Sequence, residues 1–188
     1  MKANENFLDK SSRDILQRMS YMERYNNEIH IHSENVAEHS FYVAVYAMAI
    51  CDVIGFNGEL REIVIEKALI HDIHETVISD IPHNIKANFK SLNEICLNIE
   101  NAYNKKNFEY LDKKYNMLDI GIQGIVDCVV ELADVISVKQ YSQREISLGN
   151  EAFEKILESA EERIAECFDQ LEFTDLNGIG NLKRYLEG

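Results

Sequence analysis

One proline, Pro82, and eight glycines are the only strong helix breakers in 188 residues. Glycine and proline are the residues that most often end or kink a helix, so a chain this poor in them can run in long helices. Strand-like alternation is hardly visible, whereas helix start and stop signals recur. Ser11 or Ser12 can cap a first helix running to about Met22, and residues 23–34, rich in Asn and His, read as a loop. Asn35 with Glu38 three positions on has the form of a capping box. It opens an apolar helix, 36–54, that stops at Gly55. A third helix is expected over about 59–71, then short turns and loop over 72–89. Ser91 with Glu94 offers another capping box for a long helix toward Lys114, and Asn116 with Asp119 marks the next start. The helical pattern resumes from about Ile120 to Ser147 and ends near Gly149. A long helix over about 151–171 and a short C-terminal piece complete the chain. With no repeat, low-complexity tract or linker, the expected fold is an all-α, single-domain helical bundle over residues 1–188.

Composition narrows the functional classes. Hydrophobic residues make up 46% of the chain, enough for a full core at this length. The longest apolar stretch, 43–54, is interrupted by Asp52 and is far short of the roughly 20 residues that span a bilayer. The N-terminal MKANENFLDKSSRD lacks the apolar segment of a secretory signal. The expectations are no membrane partner and a cytoplasmic location. Acidic residues number 33 against 19 basic, a net charge of −14. Such a surface repels a nucleic-acid backbone, which argues against a nucleic-acid polymer as partner. A small anion can still bind through a metal and one or two local cations. Cys51, Cys96, Cys128 and Cys167 form no CxxC pair and read as small apolar core residues in a reducing compartment.

The chemistry lies in the histidines and carboxylates. All six histidines, His30, His32, His39, His71, His74 and His83, fall in the first half of the chain. His71 and Asp72 are adjacent at the end of an apolar helix in ALIHDIHETVISDIPHNIK, with Glu75 and Asp80 close behind. His39 interrupts the start of the apolar helix 36–54, and Asp134 interrupts the run IVDCVVELADVISV. Asp127, Glu131 and Asp134 share one helical face. A carboxylate buried without compensation costs several kcal/mol, so such a residue is normally paired or metal-bound. His39, His71, Asp72 and Asp134 form a mixed N/O set suited to a divalent first-row ion with open positions for water and substrate. Spacing alone leaves a metal site and a purely structural role for these residues both open.

Three stretches, SENVAEHS (33–40), HDIHETVISDIPHNIK (71–86) and ELADVISVKQY (131–141), carry a resemblance to the HD-domain phosphohydrolases, whose pattern is H…HD…D on a helical bundle. Within that superfamily the chain resembles the bacterial 5′-deoxynucleotidases over roughly residues 11–150. The resemblance implies that His39, His71, Asp72 and Asp134 hold a divalent metal such as Mn²⁺, Co²⁺ or Mg²⁺. It implies that Glu75 acts on the attacking water and that Arg18 orients the substrate phosphate. In those deoxynucleotidases a tryptophan follows the arginine and helps exclude a 2′-hydroxyl; here Met19 follows Arg18, and the chain has no tryptophan. Asp80 and Ile81–Pro82–His83 match the loop that contacts the sugar, and His74 and His83 are candidates to contact phosphate or protonate the leaving oxygen. The expected enzyme is a homodimeric phosphomonoesterase cleaving nucleoside 5′-monophosphates, deoxy for preference, to nucleoside and phosphate. Alternatives are a dNTP triphosphohydrolase using the same metal set and a non-catalytic metal- or nucleotide-binding sensor. The two-metal branches of the superfamily need later histidines, and none follows His83.

Overall fold

The computed structural model describes residues 10–79, 81, 83–172, 174 and 178–187, with the backbone alone at 10–12, 83, 84, 87 and 185–187. Asp80 and Pro82 lie outside the described residues, as does the side chain of His83. The described residues form ten α-helices: α1 (Lys10–Met19), α2 (Val36–Ile54), α3 (Gly58–Ile70), α4 (Glu75–Ile78), α5 (His83–Asn88), α6 (Lys90–Asn107), α7 (Glu109–Asn116), α8 (Ile120–Ser147), α9 (Glu154–Glu172) and α10 (Ile179–Glu187). The extended pairing among them is one isolated bridge, Glu23 to Asn35. The all-α expectation holds.

The long helix α8 is the axis, with α2, α3 and α9 packed around it. Val126, Val129, Leu132, Ala133 and Val135 are wholly buried. They face different sides of the helix, as expected for one enclosed by neighbours. On α2, Val43, Ala44, Ala47, Ile50, Cys51 and Ile54 make the inward face. Among the described residues α2 is the one helix long and apolar enough to cross a membrane, by length and composition. Nine of its side chains are buried in the bundle, the ionisable His39 among them. All four cysteines are free and buried, as expected.

Local signals were met unevenly. At the start of α2 the capping box is complete: Glu38 N–H donates to Asn35 Oδ1 at 3.0 Å, and Asn35 N–H to Glu38 Oε2 at 3.2 Å. Gly55 ends the helix at φ 79°, a left-handed value that glycine adopts without a Cβ penalty. By contrast α1 stops at Met19, three residues early, with Ser11 and Ser12 inside it. Met19 is buried with Val36 and Ile73 in a small second core. That contact fixes α1 against α2 and explains why the chain turns there. Helix α6 starts at Lys90 behind Phe89, whose side chain cannot cap, so Ser91 falls inside the first turn instead of before it. The expected long helix then breaks at Phe108, whose ring packs against both cores. Asp119 itself, accepting from Gly121 N–H, caps α8.

Gly178, at φ 90°, opens α10 against α2; a Cβ there would sit 2.1 Å from the Val53 carbonyl oxygen. Gly178→Ala therefore combines a left-handed penalty of about 1–2 kcal/mol with a backbone clash, and should destabilise by roughly 2–5 kcal/mol. At Gly55 nothing lies within 4 Å of the same atom, so Gly55→Ala should cost only the conformational part, about 1–2 kcal/mol. Denaturant unfolding of the two variants checks the ordering.

Candidate metal centre

Three helices supply the centre: α2 its first turn, α3 its C-terminal end and α8 its midpoint. His39 Nε2 lies 3.0 Å from Asp134 Oδ1, 3.3 Å from His71 Nε2 and 3.6 Å from Asp72 Oδ2. His71 Nε2 is 3.1 Å from Asp72 Oδ2 and 4.0 Å from Asp134 Oδ1. The candidate ligand atoms of His39, His71 and Asp134 all fall within 4.8 Å of one another. Asp72 joins them through one oxygen, which also receives Arg24 Nη1 at 2.5 Å.

The outer atoms of both rings are engaged elsewhere, which turns Nε2 of each inward. His71 Nδ1 lies 2.8 Å from the Ala68 carbonyl, the natural partner for an Nδ1–H. His39 Nδ1 faces Ser137 Oγ at 3.3 Å and Glu34 Oε2 at 3.7 Å. Imidazoles held from behind in this way are typical of metal ligands. Two nitrogens and two carboxylate oxygens fit a divalent first-row ion.

The electrostatics are those of a site short of positive charge. Burial, with the Arg24 charge nearby, pushes His39 down to about 4, so this ring is neutral at pH 7. Burial also opposes charge on His71, but the Asp72 carboxylate, with Asp134 behind it, outweighs burial and raises His71 to about 9. Asp72 is held well below the usual carboxylate range by His71 and Arg24 against the effect of burial, and Asp134 is lowered by its bond to His39. Burial pushes Glu34 up to about 7 against the pull of Arg24. From α9, Arg163 Nη2 approaches Asp134 Oδ2 at 3.5 Å and Glu131 at 3.4 Å. Asp127, on the same face of α8, pairs with Lys67 of α3 at 2.8 Å and with the Tyr115 hydroxyl.

Two chambers open on the cluster. One, of about 490 Å³, is walled by Arg24, Tyr25, Asp72, Glu75, Asp134 and Arg163. The other, of about 620 Å³, lies on the α6–α7 side and includes Lys67, His74, Lys86 and Asn104. Glu75 is buried at the start of α4, one turn beyond Asp72. His74 is buried with Nδ1 on the His71 carbonyl, and burial lowers its pKa.

Arg18 and Met19 are not in this arrangement. Arg18 is exposed on the last turn of α1, outside the walls of both chambers, and Met19 belongs to the small core. The guanidinium at the cluster is Arg24, only 12% exposed. Arg24, Glu34 and Arg163 are the residues the sequence reading missed. Arg24 and Glu34 sit in the stretch read as plain loop, which the fold fastens to α8. Glu145, fully buried, accepts the N–H groups of Ile31 and His32 at 2.8 and 2.7 Å. Tyr25 stacks on Tyr141, with ring centroids 4.7 Å apart, and the Tyr141 hydroxyl donates to the His32 carbonyl. A signal for Arg24 did exist: Arg24–Tyr25 is an arginine followed by an aromatic, and Arg18–Met19 is not.

Known proteins are similar to this chain along most of its length. The family model described as 5′-deoxynucleotidase YfbR-like matches residues 13–175. A 5′-deoxynucleotidase of Yersinia pestis is 29% identical over 147 residues, covering 73% of this chain and 75% of that protein. Among solved structures, the HD phosphohydrolase DatZ of cyanophage S-2L, bound to dA and one catalytic Zn²⁺ ion, superposes with a TM-score of 0.61. It is 17% identical and covers 86% of this chain and 92% of its own. An HD-domain phosphohydrolase from Listeria innocua gives a TM-score of 0.65 at 21% identity, covering 93% and 85%.

Because, against burial, the Asp72 carboxylate raises His71 to about 9, a divalent ion binding its Nε2 must displace a proton below that pH. Affinity for Co²⁺ should therefore climb about tenfold per pH unit below 9. Calorimetry at pH 7.5 in buffers of different ionisation enthalpy should register about one proton released per ion. A pH-independent affinity would contradict the arrangement.

Proposed function

The chain belongs to the YfbR-like 5′-deoxynucleotidase family, and from that premise we propose that it is a metal-dependent phosphohydrolase converting deoxynucleoside 5′-monophosphates and water to deoxynucleosides and phosphate. The observation that carries this reading is the convergence of His39, His71 and Asp134 with Asp72, beside a chamber that also holds Glu75 and Arg24.

In this reading His39 Nε2, His71 Nε2, Asp72 and Asp134 would hold the divalent ion, which would supply Lewis acidity and lower the pKa of water. Glu75 takes a proton from the attacking water. The water oxygen bonds to phosphorus as the bond to the 5′-oxygen breaks, and the proton passes to that leaving oxygen. Arg24 takes the role that the resemblance assigned to Arg18. Its fork turns from Asp72 to the phosphate oxygens and balances the charge that grows in the transition state. Tyr25, fixed by Tyr141 and Phe153, stands beside Arg24 as the aromatic wall of the sugar site, which supports a preference for the 2′-deoxy substrate. Asp80 and His83 remain proposed sugar contacts.

The reading extends to a single-domain chain that acts in the cytoplasm as a homodimer. Support for a second copy comes from Phe41, Val45 and Met48, exposed on one face of α2, an apolar stripe of the kind that marks association surfaces.

Phosphate release from dAMP, AMP and dATP with Mn²⁺, Co²⁺ or Mg²⁺ tests the proposal, with dAMP expected to be the best substrate. Asp72→Ala should abolish turnover and deplete metal, whereas Glu75→Ala should abolish turnover with metal retained. Arg24→Ala should lose roughly 100-fold or more in kcat/KM, and Arg18→Ala should stay within about twofold, as expected for an exposed side chain. Triphosphate released from dATP with no action on dAMP would overturn the substrate assignment, and Asp72→Ala activity above about a tenth of wild type would overturn the metal assignment.

A further inference from the structure

Glu34 is 5% exposed, and its Oε2 lies 3.7 Å from Arg24 Nε on one side and 3.7 Å from His39 Nδ1 on the other. Glu34 Oε2 and Arg24 Nε are both buried atoms that lack a hydrogen-bond partner among the described residues. A carboxylate oxygen and a guanidinium N–H facing each other across that gap need only a shift of about half an ångström to pair. The backbone holds them in register. Arg24 N–H donates to the Glu34 carbonyl at 2.9 Å, Val36 N–H to the Met22 carbonyl at 2.9 Å, and Glu23 bridges Asn35. Asn35 then caps α2, whose first turn carries His39. One short paired segment therefore fixes the arginine, the glutamate and the imidazole relative to one another.

We infer that Glu34 is a positioning residue that couples the metal site to the phosphate site, by accepting from His39 Nδ1–H and from Arg24 Nε–H at once. The first contact keeps His39 in the tautomer whose Nε2 is free to ligate, the part that carboxylates commonly play behind metal-bound histidines. The second holds the guanidinium by its Nε edge, which leaves the Nη groups to point at Asp72 and the chamber. The inference rests on the function proposed above and adds a residue that touches neither ion nor substrate. Ser137 Oγ, 3.3 Å from the same His39 nitrogen, is the competing partner.

Glu34→Gln keeps the shape and removes the charge. Co²⁺ affinity, measured without substrate by chelator competition, should fall about 10- to 100-fold. KM for dAMP at saturating Co²⁺ should rise, because Arg24 loses its anchor. The KM effects of Glu34→Gln and Arg24→Lys should be less than additive in the double variant, as for residues acting through one contact. A purely structural Glu34 would lower the melting temperature and leave Co²⁺ affinity of the folded protein unchanged, which would overturn the inference. Co²⁺ affinity lost in Ser137→Ala and kept in Glu34→Gln would also overturn it, by giving the role to the serine. A wild-type chain that neither binds Co²⁺ nor releases phosphate from dAMP would bring down the parent proposal and this inference together; wild-type binding with an unaffected Glu34→Gln removes this inference alone.

Discussion

The contact between His39 of α2 and Asp134 of α8, at 3.0 Å, is the point on which the rest of the structure turns. Both residues sit in helices whose other inward positions are mostly apolar and close-packed. An imidazole and a carboxylate placed there would each be costly alone. Together, and with His71 and Asp72 delivered by the end of α3, they form a polar nucleus that the surrounding helices can enclose. The small residues Ala44 and Ala47 lie on the buried face of α2 and Ala133 on α8, and such residues let two helices approach closely.

Charge balance explains the shell around that nucleus. Asp72 and Asp134 stay ionised although largely enclosed, and each has a guanidinium on its outer side: Arg24 on Asp72, Arg163 on Asp134. His71 takes a proton for the same reason. The pocket of an otherwise strongly acidic chain is thus arranged to attract positive charge at its centre and to present arginine at its rim. A divalent cation and a phosphate dianion are matched to that pattern. The rim is firm because the segment carrying Arg24 and Glu34 is held by Glu145, Tyr141 and Phe153, all in or beyond the second half of α8.

What the sequence revealed follows from this physics. His39 and Asp134 stood out as polar interruptions of apolar helices and His71–Asp72 as a polar pair at the end of one, because helical periodicity is read locally; that they form one ligand set came from the resemblance. The capping box at Asn35 and the stop at Gly55 were legible for the same reason. Arg24 carried only the signal of the aromatic that follows it, because its place depends on a hydrogen bond from Ile31 to Glu145, 114 residues away, a contact that local pattern does not report. Arg18 satisfied a positional likeness, yet α1 ends at Met19 and turns Arg18 to solvent. The break between α6 and α7 was missed in the same way, since Phe108 bends the chain to reach two cores at once. Asp80 and the side chain of His83 lie outside the described residues, so the sugar-contact expectation rests on resemblance.

The most direct test of the central claim is an anomalous difference map from crystals of the Co²⁺-loaded protein. The account predicts a single strong peak about 2.0–2.2 Å from His39 Nε2, His71 Nε2 and one oxygen each of Asp72 and Asp134. A peak elsewhere, or a refined structure in which Asp134 stands away from the two imidazoles, would contradict it.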